Sequence, residues 1–320
     1  MKINFIDIKD KKIWNKITRN NSELPGHTYD YFKFCSLNLN KKLFLLDLSI
    51  NKNNIFCPVN VDEFRSFHIL KSIPGYSGFN CDLNLKDIIN LNKLLLDNKI
   101  LTFFFNSNPY SESKLFKNSE FVSFKNHSYI LDLNNSLIET KNNIHRNLKK
   151  NIVKVDDLKI SINEVEKLDF KILRYLYLKT CNRLNIYPDN FYKTSALKFL
   201  LDEYKNKLIV TASYKARIVS VSIFLYEKNY SDYLLNFSED DYNFCTSSLI
   251  LKSFEILKNN SIKFMNLGGG ITNKDGLERF KKNFNSIQKN IYSFKIISDQ
   301  KIYNEFSINH KNNFFPPFVK

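Results

Sequence analysis

Runs rich in β-branched and aromatic residues alternate along the whole chain with stretches of helical apolar spacing. That alternation restricts the chain to an α/β or mixed α+β fold. In the first half, Lys42–Asp47, Asn54–Pro58, Phe67–Ile73, Ile100–Asn106 and His127–Asp132 are expected as strands. Ile88, Leu91, Leu94 and Leu95 recur at helical spacing and predict a helix over Asp87–Asp97. At 320 residues the chain is about twice the usual domain length. Two similar domains are therefore expected, residues 1–155 and 156–320, the first a degenerate version of the second, sharing a cleft.

Between Asn135 and Lys154 one amphipathic basic helix is expected, capped by Asn135 or Ser136. Leu137, Ile144, Leu148 and Ile152 lie on one face, and Lys141, Arg146, Lys149, Lys150 and Lys154 on the other. The second half then reads as helices Leu168–Leu184 and Phe191–Glu203, followed by strands Lys207–Tyr214, Arg217–Glu227 and Tyr230–Phe237 with hairpin-like breaks. Helix Thr246–Lys258 and strand Ile262–Leu267 complete the pattern.

That last strand ends in Gly268-Gly269-Gly270, although the chain holds only 7 glycines. Glycine reaches positive φ without steric cost and lets a ligand approach the backbone closely. Lys281 and Lys282 follow soon after, so the strand end suits an anionic or carbonyl-bearing ligand. Pro74-Gly75-Tyr76-Ser77-Gly78 forms a looser counterpart in the first half.

The formal charge of +16 points to an anionic partner, for which a phosphate-bearing substrate would suffice. Lys, Asn, Ile, Phe and Tyr are all abundant, so part of that charge reflects composition across a solvated surface. The five cysteines are odd in number and widely spaced, which argues against a disulfide framework and for a reducing compartment. Neither they nor the five scattered histidines show metal-ligand spacing, so no metal is expected. The N-terminal apolar run is broken early by charge and no run approaches the length of a membrane span. A soluble, cytoplasmic protein is expected.

Five segments, in order, resemble motifs of the Fem-type branch of the GNAT-like acyltransferases, which includes the peptidoglycan-bridge aminoacyltransferases. They are Pro74–Gly78, Ile144–Ile152, Tyr177–Arg183 with Tyr187, Asp232–Ser238, and Asn266–Gly270 with Leu277–Phe284. The last is the most specific. The resemblance implies two GNAT-like domains and transfer of an acyl or aminoacyl group to an amine of a cell-envelope saccharide or peptidoglycan precursor. It implies acyl-CoA or aminoacyl-tRNA as co-substrate and a nucleotide- or lipid-linked acceptor, with no metal. The chain departs from the pattern in three places. Phe79 stands where the family has a further glycine, and no long helical arm is legible between Asp169 and Asp241. Asp241–Cys245 replaces the glycine-rich pyrophosphate loop of ordinary GNAT enzymes. Neither donor is thereby fixed.

Acyl transfer to an amine requires a free nucleophile, a stabilised oxyanion and a route for the leaving-group proton. Lys281 is the candidate for the electrostatic role. The resemblance places Arg183 and Tyr187 on substrate phosphates, both pointing into one cleft if their helix continues, and Arg suits bidentate recognition. Tyr233 is a candidate donor to substrate, and Gly268, Gly269 and Gly270 line its approach. In the family a tyrosine and an acid of the first domain bind substrate, here Tyr76 and Asp82, the latter also a candidate base for the acceptor amine. A non-catalytic, basic RNA-binding protein is the alternative, which the scatter of the basic residues disfavours. Peripheral contact with the inner membrane stays open, since a basic surface attracts anionic lipid.

Overall fold

The computed structural model describes residues 3–50, 53–73, 75, 78–81, 85–110, 121–188, 191–270, 275–308, 310 and 314–319. Contacts gather the chain into two compact units. The first comprises Met1–Ser22, Gly26–Asn126 and Asn290–Lys320, the second Glu23–Pro25 and His127–Lys289. This division differs from the expected one at 155 and 156. Residues 127–155 pack in the second unit because Tyr129, Leu131, Leu133, Ile144, Leu148 and Val155 join its core. The end of the chain returns to the first unit, where Tyr292, Phe294 and Ile296 join that core.

The first unit contains β1 (Ile3–Asp7), α1 (Lys11–Thr18), α2 (Tyr29–Leu39), β2 (Leu43–Ile50), β3 (Asn53–Phe64), β4 (Phe67–Ser72), α3 (Leu85–Asp97) and β5 (Ile100–Asn106). The chain's last two elements, β12 (Ile287–Ile297) and α10 (Gln300–Ser307), complete it. Its strands lie in the order β1-β2-β3-β4-β5-β12. Pairing is antiparallel throughout except for the parallel β4/β5 pair. Every residue of β5 except Phe104 is buried, as befits a central strand covered on both faces. Helix α2 starts where the Thr28 side chain accepts from the Tyr31 amide and stops at Asn40, in the left-handed region at φ 53°. Two glycines of the expected first strand end are constrained. Gly75 has φ 88°, and a Cβ at Gly78 would overlap the Asn106 carbonyl oxygen.

The second unit contains β6 (Val122–Asp132), α4 (Leu137–Asn143), α5 (Arg146–Asp157), β7 (Ser161–Glu164), α6 (Phe170–Arg183) and α7 (Thr194–Asp202). Then follow β8 (Lys207–Tyr214), β9 (Arg217–Glu227), β10 (Tyr230–Ser238), α8 (Thr246–Asn259), β11 (Phe264–Asn266) and α9 (Gly276–Lys282). The strand order is β6-β11-β10-β9-β8-β7, with β10 and β11 parallel. The turn between β8 and β9 carries positive φ at Lys215 (48°) and Ala216 (63°), the backbone a tight hairpin demands. Helix α8 buries Leu249, Ile250, Phe254 and Leu257 in a core shared with Phe224, Met265 and Phe284.

The expected single basic helix is two. Ile144 is extended at ψ 152°, and His145 starts the next helix by accepting from the Asn147 amide at its Nδ1. The His145 amide itself donates to the Asn283 carbonyl at 2.8 Å. That tie holds the break, while the expected apolar face stays inward: Ile144 and Leu148 are buried and Leu137 and Ile152 pack against them.

Candidate active site

In the second unit, β10 and β11 run side by side only from Tyr230/Phe264 to Asp232/Asn266. Beyond that point β10 shifts register between Tyr233 and Leu235 and continues along β9 to Ser238. The chain leaving β11 turns away instead at Gly268, whose φ of 74° favours glycine. The turn is pinned by hydrogen bonds on both sides. The Gly268 amide donates to Asn266 Oδ1 at 2.8 Å, and the Tyr129 amide donates to the Gly268 carbonyl at 3.2 Å.

Helix α9 faces this turn. Its first turn is capped by Asp275, which accepts from the Glu278 amide at 2.7 Å, and Glu278 Oε1 accepts from the Tyr129 hydroxyl at 2.7 Å. From its last turn Lys281 reaches back, and its Nζ donates to the Gly269 carbonyl at 2.7 Å. Lys281 is only 6% exposed. Burial brings its ammonium down to about 8, partly countered by the charge of Asp275. An ammonium carries three protons and one of these is committed to Gly269. The others leave it able to donate to negative charge developing on a carbonyl oxygen, where a preorganised donor in a low-dielectric setting has most effect.

Three polar residues next to the turn escaped the sequence reading. Asn266 Oδ1 accepts both from Ser128 Oγ at 2.6 Å and from the Gly268 amide, while its Nδ2 donates to Asp232 Oδ1 at 2.8 Å. Ser128 and Asn266 are buried. Burial of Asp232 pushes its carboxyl up to about 6, against the Asn266 hydrogen bond. Asp232 lies beside Tyr233 in a segment already matched to the family, but alternation along the strand sends the two side chains to opposite faces.

Of the residues expected at the site, the structure brings together Lys281, Gly268 and Gly269, with Gly270 following in the same turn. Tyr233 points the other way, into the core against Phe224 (ring centroids 5.2 Å apart). Its phenol is raised by burial and hydrogen-bonded to Ser222. Arg183 spends its fork on the end of β10: on the Ser238 carbonyl and hydroxyl at 3.3 and 3.2 Å, and on Asp240 at 3.3 Å. Tyr187 does not follow one turn later on that helix, because α6 ends at Arg183 and Asn185 takes φ 51°. Tyr187 is instead 76% exposed. Tyr76 and Asp82 lie outside the described residues.

The turn before α8, where ordinary GNAT enzymes place pyrophosphate amides, carries Glu239, Asp240 and Asp241. Arg217 pairs with Glu239 and Arg183 with Asp240. Among the described residues no group of three or more His, Cys, Asp or Glu is placed to hold a metal ion. No helix among them is long and apolar enough to cross a membrane.

No protein-family model matches the chain, and no curated protein sequence matches it. Solved structures do. FemX superposes with a TM-score of 0.67 at 11% identity, covering 95% of this chain and 99% of that one. The C-terminal domain of a putative lysylphosphatidylglycerol synthetase from Agrobacterium fabrum gives 0.58 at 10% identity, covering 92% and 94%. L-PGS from Bacillus licheniformis gives 0.57 at 11% identity, covering 91% and 92%. The chain therefore has a Fem-like fold, the mixed α/β architecture its alternating pattern predicts.

Proposed function

We propose that this protein is an acyltransferase that moves an acyl or aminoacyl group onto an amine of a cell-envelope component, with a lipid-linked or nucleotide-linked saccharide or peptide as acceptor. The observation that carries the reading is Lys281: a buried ammonium anchored on the Gly269 carbonyl, at the point where β10 and β11 part. A buried charge costs stability unless it is paired, so a cation resting on one backbone carbonyl suits a ligand that brings the negative charge. In the proposed reaction the acceptor nitrogen attacks the donor carbonyl. The Lys281 ammonium stabilises the oxygen as it becomes anionic. The carbonyl then re-forms as the bond to the donor's oxygen or sulfur breaks, and the alcohol or thiol departs with the proton that the nitrogen gives up. The fold shared with FemX, with L-PGS and with the C-terminal domain of a putative lysylphosphatidylglycerol synthetase supports the class of reaction and of acceptor.

The donor in this reading is aminoacyl-tRNA or acyl-CoA. The segment before α8 weighs against CoA: Glu239 and Asp240 are engaged by Arg217 and Arg183, and Asp241 adds negative charge where a pyrophosphate would need free donors. The test incubates the purified protein with radiolabelled aminoacyl-tRNA or acetyl-CoA and with lipid-linked or nucleotide-linked amino-sugar peptides. Label is expected in the acceptor, and Lys281→Met is expected to lower its rate of appearance roughly 10²–10³-fold, the usual effect of removing one oxyanion donor. Full activity in a folded Lys281→Met protein would remove Lys281 from the chemistry.

A further inference from the structure

We infer that Asp232 is the anchor for a substrate's primary ammonium group, held in place by the same glycine turn that positions Lys281. The inference rests on the acyl-transfer reading and names the recognition element that this reading lacks.

The orientation of Asn266 is fixed by its neighbours. Ser128 Oγ and the Gly268 amide both converge on Asn266 Oδ1, and an amide proton can meet only an oxygen there, so Nδ2 is the atom that faces Asp232. The amide donates to Asp232 Oδ1, which leaves the carboxylate oriented. Asp232 takes part in none of the ion pairs among the described residues. Among the described residues its negative charge is therefore faced by one neutral amide. A carboxylate oriented in this way, half-buried and without a cation among the described residues, suits an ammonium that brings its own charge and donors.

The surface around it fits the same ligand. The parallel register sets Tyr230 opposite Phe264 and Asp232 opposite Asn266. Residues two apart on a strand share a face, so the stacked Tyr230–Phe264 rings (centroids 5.7 Å apart, planes at 20°) flank the acid–amide pair. Aromatic rings beside a carboxylate favour an organic cation over a hydrated metal ion. Lys281 is linked to this pair through consecutive residues: Asn266 holds the Gly268 amide, and the next carbonyl, that of Gly269, receives the Lys281 ammonium. A site for an ammonium group and a site for a carbonyl oxygen are thus built on one turn.

The ammonium has two sources in this chemistry, the acceptor amine and the α-amine of an aminoacyl donor. Calorimetric titration separates them with two free-amine probes, a lysine-containing tripeptide and a 3′-aminoacylamido-3′-deoxyadenosine, each compared with its N-acetyl form. The wild-type protein is expected to bind one of them at least 10-fold more tightly than its N-acetyl form, and that probe identifies the source. Asp232→Asn is expected to erase the ratio while leaving the N-acetyl affinity unchanged. Should Asp232→Asn fail to fold by circular dichroism, Asp232→Ser serves, and the wild-type ratio needs no variant. Equal affinity for free and acetylated probes, no binding of any probe, or a ratio that survives in the variant each overturns the inference. Absence of label transfer in the wild-type protein would instead overturn the acyl-transfer reading, and the two failures are read in separate assays.

Discussion

Among the described residues Lys281 makes one hydrogen bond, to a backbone carbonyl, and a buried lysine held in that way is a poor means of stabilising a fold. The fall of Lys281 from 10.5 to about 8 means that folding disfavours its charged form by about 3 kcal/mol. Replacing it with an apolar side chain of similar length should therefore separate stability from activity. Lys281→Met is expected to melt at the wild-type temperature or above it while losing the transfer rate, and a drop of several degrees would mark the lysine as structural. His27 is shifted in the same sense, in a pH range where the effect on stability is measurable. It is buried in the first unit, with Nε2 at 2.7 Å from the Gly78 carbonyl and Nδ1 at 2.7 Å from Ser22 Oγ, and burial lowers it to about 4. Below 6.5 the unfolded chain takes up a proton that folded His27 refuses, so stability present above that pH is lost as pH falls toward 4. The loss amounts to about 3 kcal/mol. Urea unfolding at pH 7.5 and 4.5 measures it, and His27→Gln should reduce the pH dependence by that amount. At this scale the glycine turn and the basic segment that meets it were legible in the sequence, because scarce glycines beside a basic segment stand out, and the structure does bring Lys281 onto the Gly269 carbonyl. The hydrogen bond between Asp232 and Asn266 was not legible, since strands disfavour both residue types and the pairing joins two strands, while Tyr233, one step along, turns to the opposite face.

Periodicity located most elements of the second unit and misjudged where one of them breaks. The spacing of Leu137, Ile144, Leu148 and Ile152 suits a continuous helix, and all four do face the core, yet the backbone opens at Ile144. What opens it is the hydrogen bond from the His145 amide to Asn283, a contact across more than a hundred residues that local pattern cannot carry. Helix α9, which ends beside that contact, also sets the electrostatics of the site. Asp275 both caps the helix and holds the Lys281 ammonium up. The two roles separate by substitution, because Asn caps a helix about as well as Asp but carries no charge. Asp275→Asn is expected to leave stability nearly unchanged and to lower the Lys281 pKa further. The alkaline limb of the pH–rate profile, expected near 8 in the wild-type protein, should then move to lower pH. Asp275→Ala is expected to show the same displacement and to cost about 1 kcal/mol besides. An unmoved limb in both variants would mean that Lys281 does not act as a cation in the rate-limiting step.

For the whole molecule, the count of two domains followed from length, whereas their composition did not. A linear reading divides the chain at one point, but the polypeptide leaves the first unit at Asn126 and re-enters it at Asn290. The signal for that return is weak, since Ile287–Ile297 reads as one more apolar strand with no indication of its neighbour. Its partner is β5, paired from Ser293/Asn106 to Ile297/Thr102, with Phe294 stacked on Phe105 at 4.5 Å. Tyr292, Phe294 and Ile296 are all buried in the first unit's core. At about 1.5–3 kcal/mol each, their burial contributes roughly 5–9 kcal/mol, comparable with the whole stability of an ordinary domain. Residues 1–126 alone would thus lose that contribution and expose the apolar edge of β5, a template for pairing with other chains. Expressed alone, this fragment is expected to aggregate. Joined through a flexible Gly/Ser linker to residues 290–320, it is expected to stay soluble and to melt cooperatively. A monomeric 1–126 fragment with a cooperative melt would show that the returning strand is dispensable. An insoluble linked fragment would show that completing the sheet is not enough for the first unit to fold by itself.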